Sequence, residues 1–455
     1  MPVGNKDRFM ANERRVVITG CGVATPFGVG VESLWDGLTS GKSGIRKIEA
    51  YDPGGFDSVL GAEVPELKTR DYIPKNYRKS VKVMARDIEL AVACAYEAVK
   101  DAGLVTKCII DRGESEGPVT ICPTRFGANI GAGLICADIQ ELAGSLQTSG
   151  NHDTLEFDFK QWGQEGMTTL TPLWLLKFLP NMLGCHVTIV HDAQAPSNTI
   201  TCGEASSHLA IGEAYRTIAR GAADVCICGG AESKMNPMSV MRQQVMGRLV
   251  SGHDDTPDQA CKPFGSDTDG MVAGEGGGLL ILEELESAKA RGARIYCEVA
   301  GFGAASKITS WHEPDPSGRA LSLAIKNALA DADLSPDQVN LLCTMGTGIN
   351  RYDEGELAGI RTAFDDRKNI PAIANKGAVG MGGAGCGSID LAATTMAMHH
   401  NTIPPSKNAS SAQTGGLLQF AESDPVDARI DVAVSHAYSL SGAQTAAVVL
   451  RRYEA

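Results

Sequence analysis

Apolar residues recur along this chain at two spacings, one suited to strands and one to helices. Arg15 to Thr19 (RVVIT) is a β-rich run that leads into a glycine-containing turn, GCGVATPFG, before a helical pattern begins near Val31. The same succession returns at Ile295 to Ala300 (IYCEVA), followed by GFGAAS. AVACAYEAVKDAGL, ending at Leu104, and ALSLAIKNALADADL, ending at Leu334, each carry apolar residues at helical intervals. Further strand-like runs follow both: RFGANIGAG and ADVCICGGAE in the first half, NLLCTMGTG and DVAVSHAYSLSGAQTAAVVL in the second. Strands alternating with helices predict an α/β protein whose mainly parallel sheets are covered by helices. The pattern divides the chain into a polar leader over 1–14, one half over 15–290 and a second, duplicated half over 291–455. Two polar stretches, 107–124 with its GESEGP cluster and 145–166, break the periodicity and are expected to be surface insertions.

Composition narrows the function classes. At 455 residues the chain can bury a large core, and 43% hydrophobic with 21% charged residues is ordinary for a soluble globular protein. A net charge of −13 and the lack of a Lys/Arg cluster argue against nucleic acid as a partner. The 13 cysteines are scattered singly, as Cys21, Cys94, Cys226, Cys228 and Cys386 illustrate, without metal-ligand spacing, so reduced thiols in a cytoplasmic protein are expected and no metal. No apolar run is long enough for a membrane span. GCGVATPFG lacks the Lys-Ser/Thr ending of a phosphate-binding loop, so a structural corner is the simpler reading.

The stretch PSNTITCGEASSHLAIGEAYRTIARGAADVCICGGAES, Pro196 to Ser233, followed by KPFGSDTDGMVAGEGGGLLILEELESAKARGARIY, resembles the central portion of a β-ketoacyl-acyl carrier protein synthase of the elongating type. RRVVITGCGVATPFG, GTGINRYDEGE, NKGAVGMGGAGCGSIDLAA and the IPPS of Ile403 to Ser406 extend the resemblance over nearly the whole chain. It implies a thiolase-like fold, two pseudo-repeated halves forming a five-layered αβαβα sandwich, with two mixed sheets enclosing buried helices. It also implies a dimer with active sites near the subunit interface. In the family a Cys at a helix N-terminus accepts the acyl chain as a thioester, and two His assist decarboxylation of malonyl-carrier protein and stabilise the enolate.

The positions that match those three residues hold other side chains. Counting forward from Pro196-Ser197 or back from Gly229-Gly230-Ala231-Glu232 puts Glu204 at the nucleophile position without a gap. Met345 in TMGTG and Met381 in NKGAVGMGG stand where the family pattern has its two His. A carboxylate is a poor thioester acceptor, and a thioether cannot donate a hydrogen bond to an enolate oxygen. One oxyanion donor is worth roughly 3 to 4 kcal/mol, so condensation by this chain alone is not expected and no catalytic residue is assigned.

Other candidates carry a bland and a functional reading. Glu204 is expected to cap a helix running from about Ala205 to Gly221, or to imitate the glutamine of chain-length factors. Cys202 is considered as a displaced nucleophile, and His208, one turn beyond Glu204, as a structural or catalytic neighbour. Lys376 matches the family's active-site Lys and Asp390 falls where the pattern has its partner Glu, so an architectural ion pair with a shorter acid is expected. The family's G-F-G-G-T-N gate loop matches Leu440 to Thr445, with Ser441 at the gating Phe position and Gly442 next to it.

The resemblance thus implies a non-catalytic, chain-length-factor-like subunit of a fatty-acid or polyketide synthase. It would pair with an active ketosynthase as a heterodimer and shape the acyl tunnel. Acyl groups would arrive on the phosphopantetheine of an acyl carrier protein, without a further cofactor. A homodimeric acyltransferase with altered chemistry through Glu204, and a lipid-binding pseudoenzyme, are the alternatives.

Overall fold

The computed structural model describes residues 14–454 apart from 152, 155, 268, 269, 308, 309, 311, 312, 442 and 443, so the leader expected over 1–14 lies, except for Arg14, outside the described residues, as does Gly442. The first half contains β1 (Val16–Thr25), α1 (Arg86–Asp101), β2 (Phe126–Ala132), α2 (Met182–His191), β3 (Ser197–Ile200), α3 (Ser206–Ala219), β4 (Val225–Ser233) and β5 (Glu275–Glu284). The second contains β6 (Cys297–Ser306), α4 (Arg319–Asp331), β7 (Leu341–Thr344), α5 (Asn350–Ala363), β8 (Ile370–Ala374), α6 (Cys386–His400), β9 (Leu418–Phe420), β10 (Val432–Tyr438) and β11 (Gln444–Arg451).

The strand order is β3-β2-β4-β5-β1-β6-β11-β10-β7-β8-β9. Read outward from the centre, each half runs antiparallel, antiparallel, parallel, parallel: β1-β5-β4-β2-β3 on one side and β6-β11-β10-β7-β8 on the other. The two halves are joined edge to edge where Val16, Val17 and Ile18 pair with Val299, Glu298 and Cys297, so the two sheets expected from the sequence form one continuous hydrogen-bonded path.

Alternation along the strands creates the layers. In β5, Leu280 and Leu282 face the central core with α3 and α6, whereas Leu279 and Ile281 face α1 and α2. In β11, Val448 and Leu450 face the same central core, and Ala447 and Val449 face α4 and α5. Helices α3 and α6 therefore lie between the two halves of this sheet. Every residue of α6 from Cys386 to Met398 is buried, as expected of a helix covered on all sides.

The structure corrects three local expectations. The paired glycines of GCG and GFG do not make turns; they lie inside β1 and β6. A Cβ on Gly22 would come 2.1 Å from the Cys94 carbonyl oxygen of α1, and one on Gly303 would come 2.2 Å from that of Ala324 in α4. The missing side chains let each outer helix touch its strand. The 107–124 stretch is not wholly superficial, because its helix Lys107–Asp111 buries Cys108 and Ile109 in the core beneath α1. The 145–166 stretch shares the helix Ile139–Ser149 and contains Phe159–Gln164; Asp138 and Asp158 cap these helices with their side chains, and Ser145 and Ser149 are buried.

Candidate functional site

The chain leaves β3 and turns through a 3-10 segment, Gly203–Ala205, into α3. Gly203 has φ 56°, and a Cβ there would lie 3.0 Å from Ser439 Oγ, so glycine suits the turn on both counts. Ser206 Oγ accepts from Cys202 N at 2.8 Å and donates to the Gly203 carbonyl at 2.6 Å, closing the loop. Glu204 sits on this turn with its side chain buried.

Glu204 does not cap α3, which begins at Ser206 without a side-chain cap and ends at Ala219. Its Oε2 instead accepts from Leu440 N at 2.9 Å, across the site. The backbone of Leu440 is held from the other side as well. Its carbonyl accepts from Arg248 Nη2 and from Tyr352 Oη, each at 2.7 Å. The segment expected to match the gate loop is thus clamped at its first residue. Ser441 turns its hydroxyl to Ser439 Oγ at 2.5 Å and is exposed.

Met345 and Met381, at the ends of β7 and of the short helix Lys376–Val379, are fully buried and pack together with Met271, Ile349, Tyr352, Cys386 and Leu440. The cluster is apolar around both methionines, the two residues that the resemblance sets against the family's His. Met345 Sδ accepts from Tyr438 N at 3.5 Å, and the backbone N–H groups of Met345 and Gly346 donate to Glu356 at 2.8 and 3.0 Å. Behind them His436 Nε2 lies 2.6 Å from Glu356 Oε1, with both side chains wholly buried.

Lys376 Nζ lies 2.5 Å from Asp390 Oδ2, both 1% exposed, and Asn375 Nδ2 donates to the other oxygen at 2.9 Å. Burial pulls Lys376 down, but Asp390 beside it raises it more, leaving its pKa above the ordinary lysine value. Among the described residues no hydrogen bond joins His208 to Glu204. His208 Nε2 pairs with Ser435 Oγ at 2.9 Å, and burial, with His436 and Lys376 nearby, lowers its pKa to about 3. Burial raises the pKa of Cys202 and pushes Cys386 up to about 12, so both stay thiols near neutral pH.

Three neighbours of the site were not singled out from the sequence. Lys234 Nζ donates to Glu232 Oε1 at 2.8 Å, and Glu232 Oε2 accepts from Ala384 N at 2.6 Å. Burial pulls Lys234 down, yet Glu232 and then Glu204 outweigh it and raise its pKa. A Glu-x-Lys at the end of a buried strand is a legible signal, because alternate residues share a face. The Glu356–His436 pair and Arg248 offer none, since their partners lie far along the chain.

The layered halves, the buried helix that starts beside the Glu204 turn and the tethered loop define a thiolase-like ketosynthase scaffold. Residues 13–288 match the family model described as the β-ketoacyl synthase N-terminal domain, and 296–410 match that of its C-terminal domain. The chain belongs to the β-ketoacyl synthase family of fatty-acid and polyketide synthases. It is 32% identical to the 3-oxoacyl-[acyl-carrier-protein] synthase 2 of Synechocystis sp. over 95% of this chain and 97% of that protein. It is 29% identical to the tetracenomycin polyketide synthase ketoacyl synthase alpha subunit of Streptomyces glaucescens, covering 97% and 98% of the two chains. Among solved structures it is similar to the ishigamide ketosynthase/chain length factor, with a TM-score of 0.80, 26% identity and coverage of 98% and 100%. The AntDE:AntF complex, a type II polyketide synthase acyl-carrier protein with its ketosynthase bound to a hexaketide, matches with a TM-score of 0.80, 26% identity and coverage of 97% and 100%. No helix among the described residues is long and apolar enough to cross a membrane.

Proposed function

We propose that this chain is a non-catalytic, chain-length-factor-like subunit that pairs with an active ketosynthase and forms part of the wall of its acyl tunnel. The observation that carries the reading is the fate of Glu204: the side chain at the nucleophile position is a carboxylate with one oxygen committed to Leu440 N. Around it, Met345 and Met381 fill the space with apolar surface and offer no donor to an enolate oxygen. The retained Lys376–Asp390 pair supports a scaffold kept for its shape. Acyl groups reach the heterodimer on the phosphopantetheine arm of an acyl carrier protein, whose docking surface and nucleophilic Cys come from the active subunit. The assembly is cytoplasmic and needs no further cofactor.

The test is to incubate the purified chain with acyl- and malonyl-carrier protein, alone and co-expressed with a ketosynthase encoded beside it. Alone it should give neither β-ketoacyl product nor an acyl adduct by mass spectrometry; together the two chains should elute as one heterodimer and make product. An acyl mass on a peptide containing Cys202, or condensation by the chain alone, would overturn the reading and favour a homodimeric enzyme.

A further inference from the structure

Beside the Gly203–Ala205 turn lies a cavity of about 450 Å³. That is within the usual range for small-ligand sites and roomy enough for about fifteen water-sized groups. Its wall is unevenly supplied with hydrogen-bonding groups. Its one acid, Glu232, has both oxygens engaged, one by Lys234 Nζ and one by Ala384 N. The donors on the same wall are not used up. Lys234 is only 7% exposed and carries three N–H bonds, yet among the described residues its ammonium makes one hydrogen bond, to Glu232. Arg242 directs Nη1 to Cys136 Sγ at 2.9 Å, and among the described residues no carboxylate neutralises it. Thr201 and Gln243 add a hydroxyl and an amide. A buried cation with spare donors and a second cation without an acid face a cavity whose one carboxylate is spent. A ligand end that brings negative charge and several oxygens completes this wall; a hydrocarbon end leaves its donors without partners.

We propose that this cavity takes an acyl group ending in a carboxylate, with Arg242 and Lys234 holding its oxygens and Leu134 and Pro180 supplying apolar surface to its methylenes. The inference rests on the acyl-tunnel reading above and names the chemical class of the chain the tunnel takes.

The probes are two stable pantetheine amides of equal acyl length, one octanoyl and one suberoyl, titrated calorimetrically into the full-length protein, with its ketosynthase bound where the two co-purify. The suberoyl compound should bind at least about tenfold tighter, a difference of about 1.4 kcal/mol, with an advantage that shrinks as salt is added. Arg242 is exposed, so Arg242→Gln should melt like the parent and lose most of the suberoyl preference, while Arg242→Lys should retain part of it. Equal or tighter binding of the octanoyl compound, or a preference unchanged in Arg242→Gln, overturns the proposal. Because this readout is binding, it can fail while the heterodimer still makes product. It can equally succeed in a protein that turns out to condense by itself.

Discussion

Replacing Lys376 by Met tests what holds this corner of the site in shape. Lys376 and Asp390 are each 1% exposed, and Asp390 has one other side-chain partner, Asn375. Met fills the lysine stem but withdraws the charge, leaving a buried carboxylate with a single hydrogen bond. Breaking a buried ion pair from one side costs about 3 to 5 kcal/mol, equivalent to more than about a hundredfold in the folding equilibrium. Adding Asp390→Asn removes the orphan charge while its side-chain oxygen can still accept from Asn375. The double variant should therefore recover most of the loss. The sign of the pH dependence follows from burial. In Lys376→Met the lone acid is pushed up in the folded state, so the folded protein binds the proton more tightly than the unfolded chain, and the variant loses stability as pH rises. Urea titrations followed by circular dichroism at about pH 5 and about pH 8 measure all three effects. A loss below about 1 kcal/mol in the single variant, or a double variant no more stable than the single, would refute the argument that a desolvated, mutually dependent pair holds this corner.

Glu204→Gln keeps an acceptor for Leu440 N and should leave both stability and partner-dependent product formation nearly unchanged; Glu204→Ala orphans that N–H and should cost about 1 to 3 kcal/mol in a urea titration. Burial and the nearby Glu232 raise Asp87 to about 7, so its folded-state proton contributes stability that is present at low pH and lost as pH rises through about 7. Asp87→Asn, which can still accept from Ser233 N, should gain on the parent between about pH 5 and pH 8; a constant difference between the two proteins would contradict this. Gly303→Ala places a methyl against the Ala324 carbonyl and should lower stability by about 1 to 3 kcal/mol or more, measurable as a drop in melting temperature, with Gly22→Ala behaving alike against Cys94.

The order of strands and helices, the duplication and the match to the ketosynthase pattern were legible because they depend on local periodicity and on motifs that keep their spacing. Counting along the motifs is also what leads to the expectation that Glu204, Met345 and Met381 stand at the family's three catalytic positions. Tertiary structure decided what those residues touch. Glu204 suits a helix cap by position, but its carboxylate meets Leu440, 236 residues onward, and no local rule relates the two. The GCG and GFG pairs look like turns in one dimension because glycine is common in turns; only the packing of α1 and α4 shows that the absent side chains make room for a helix backbone. The polar character of 107–124 hid the burial of Cys108 and Ile109, since two apolar residues are too few to set a period. The alternation of apolar residues in β5 specifies two buried faces, whereas the pairing of Val16–Ile18 with β6 that merges the sheets arises only when both halves are folded. Periodicity is a property of neighbours in the chain. The unused donors of Lys234 and Arg242, like the tether on Leu440, are properties of neighbours in space.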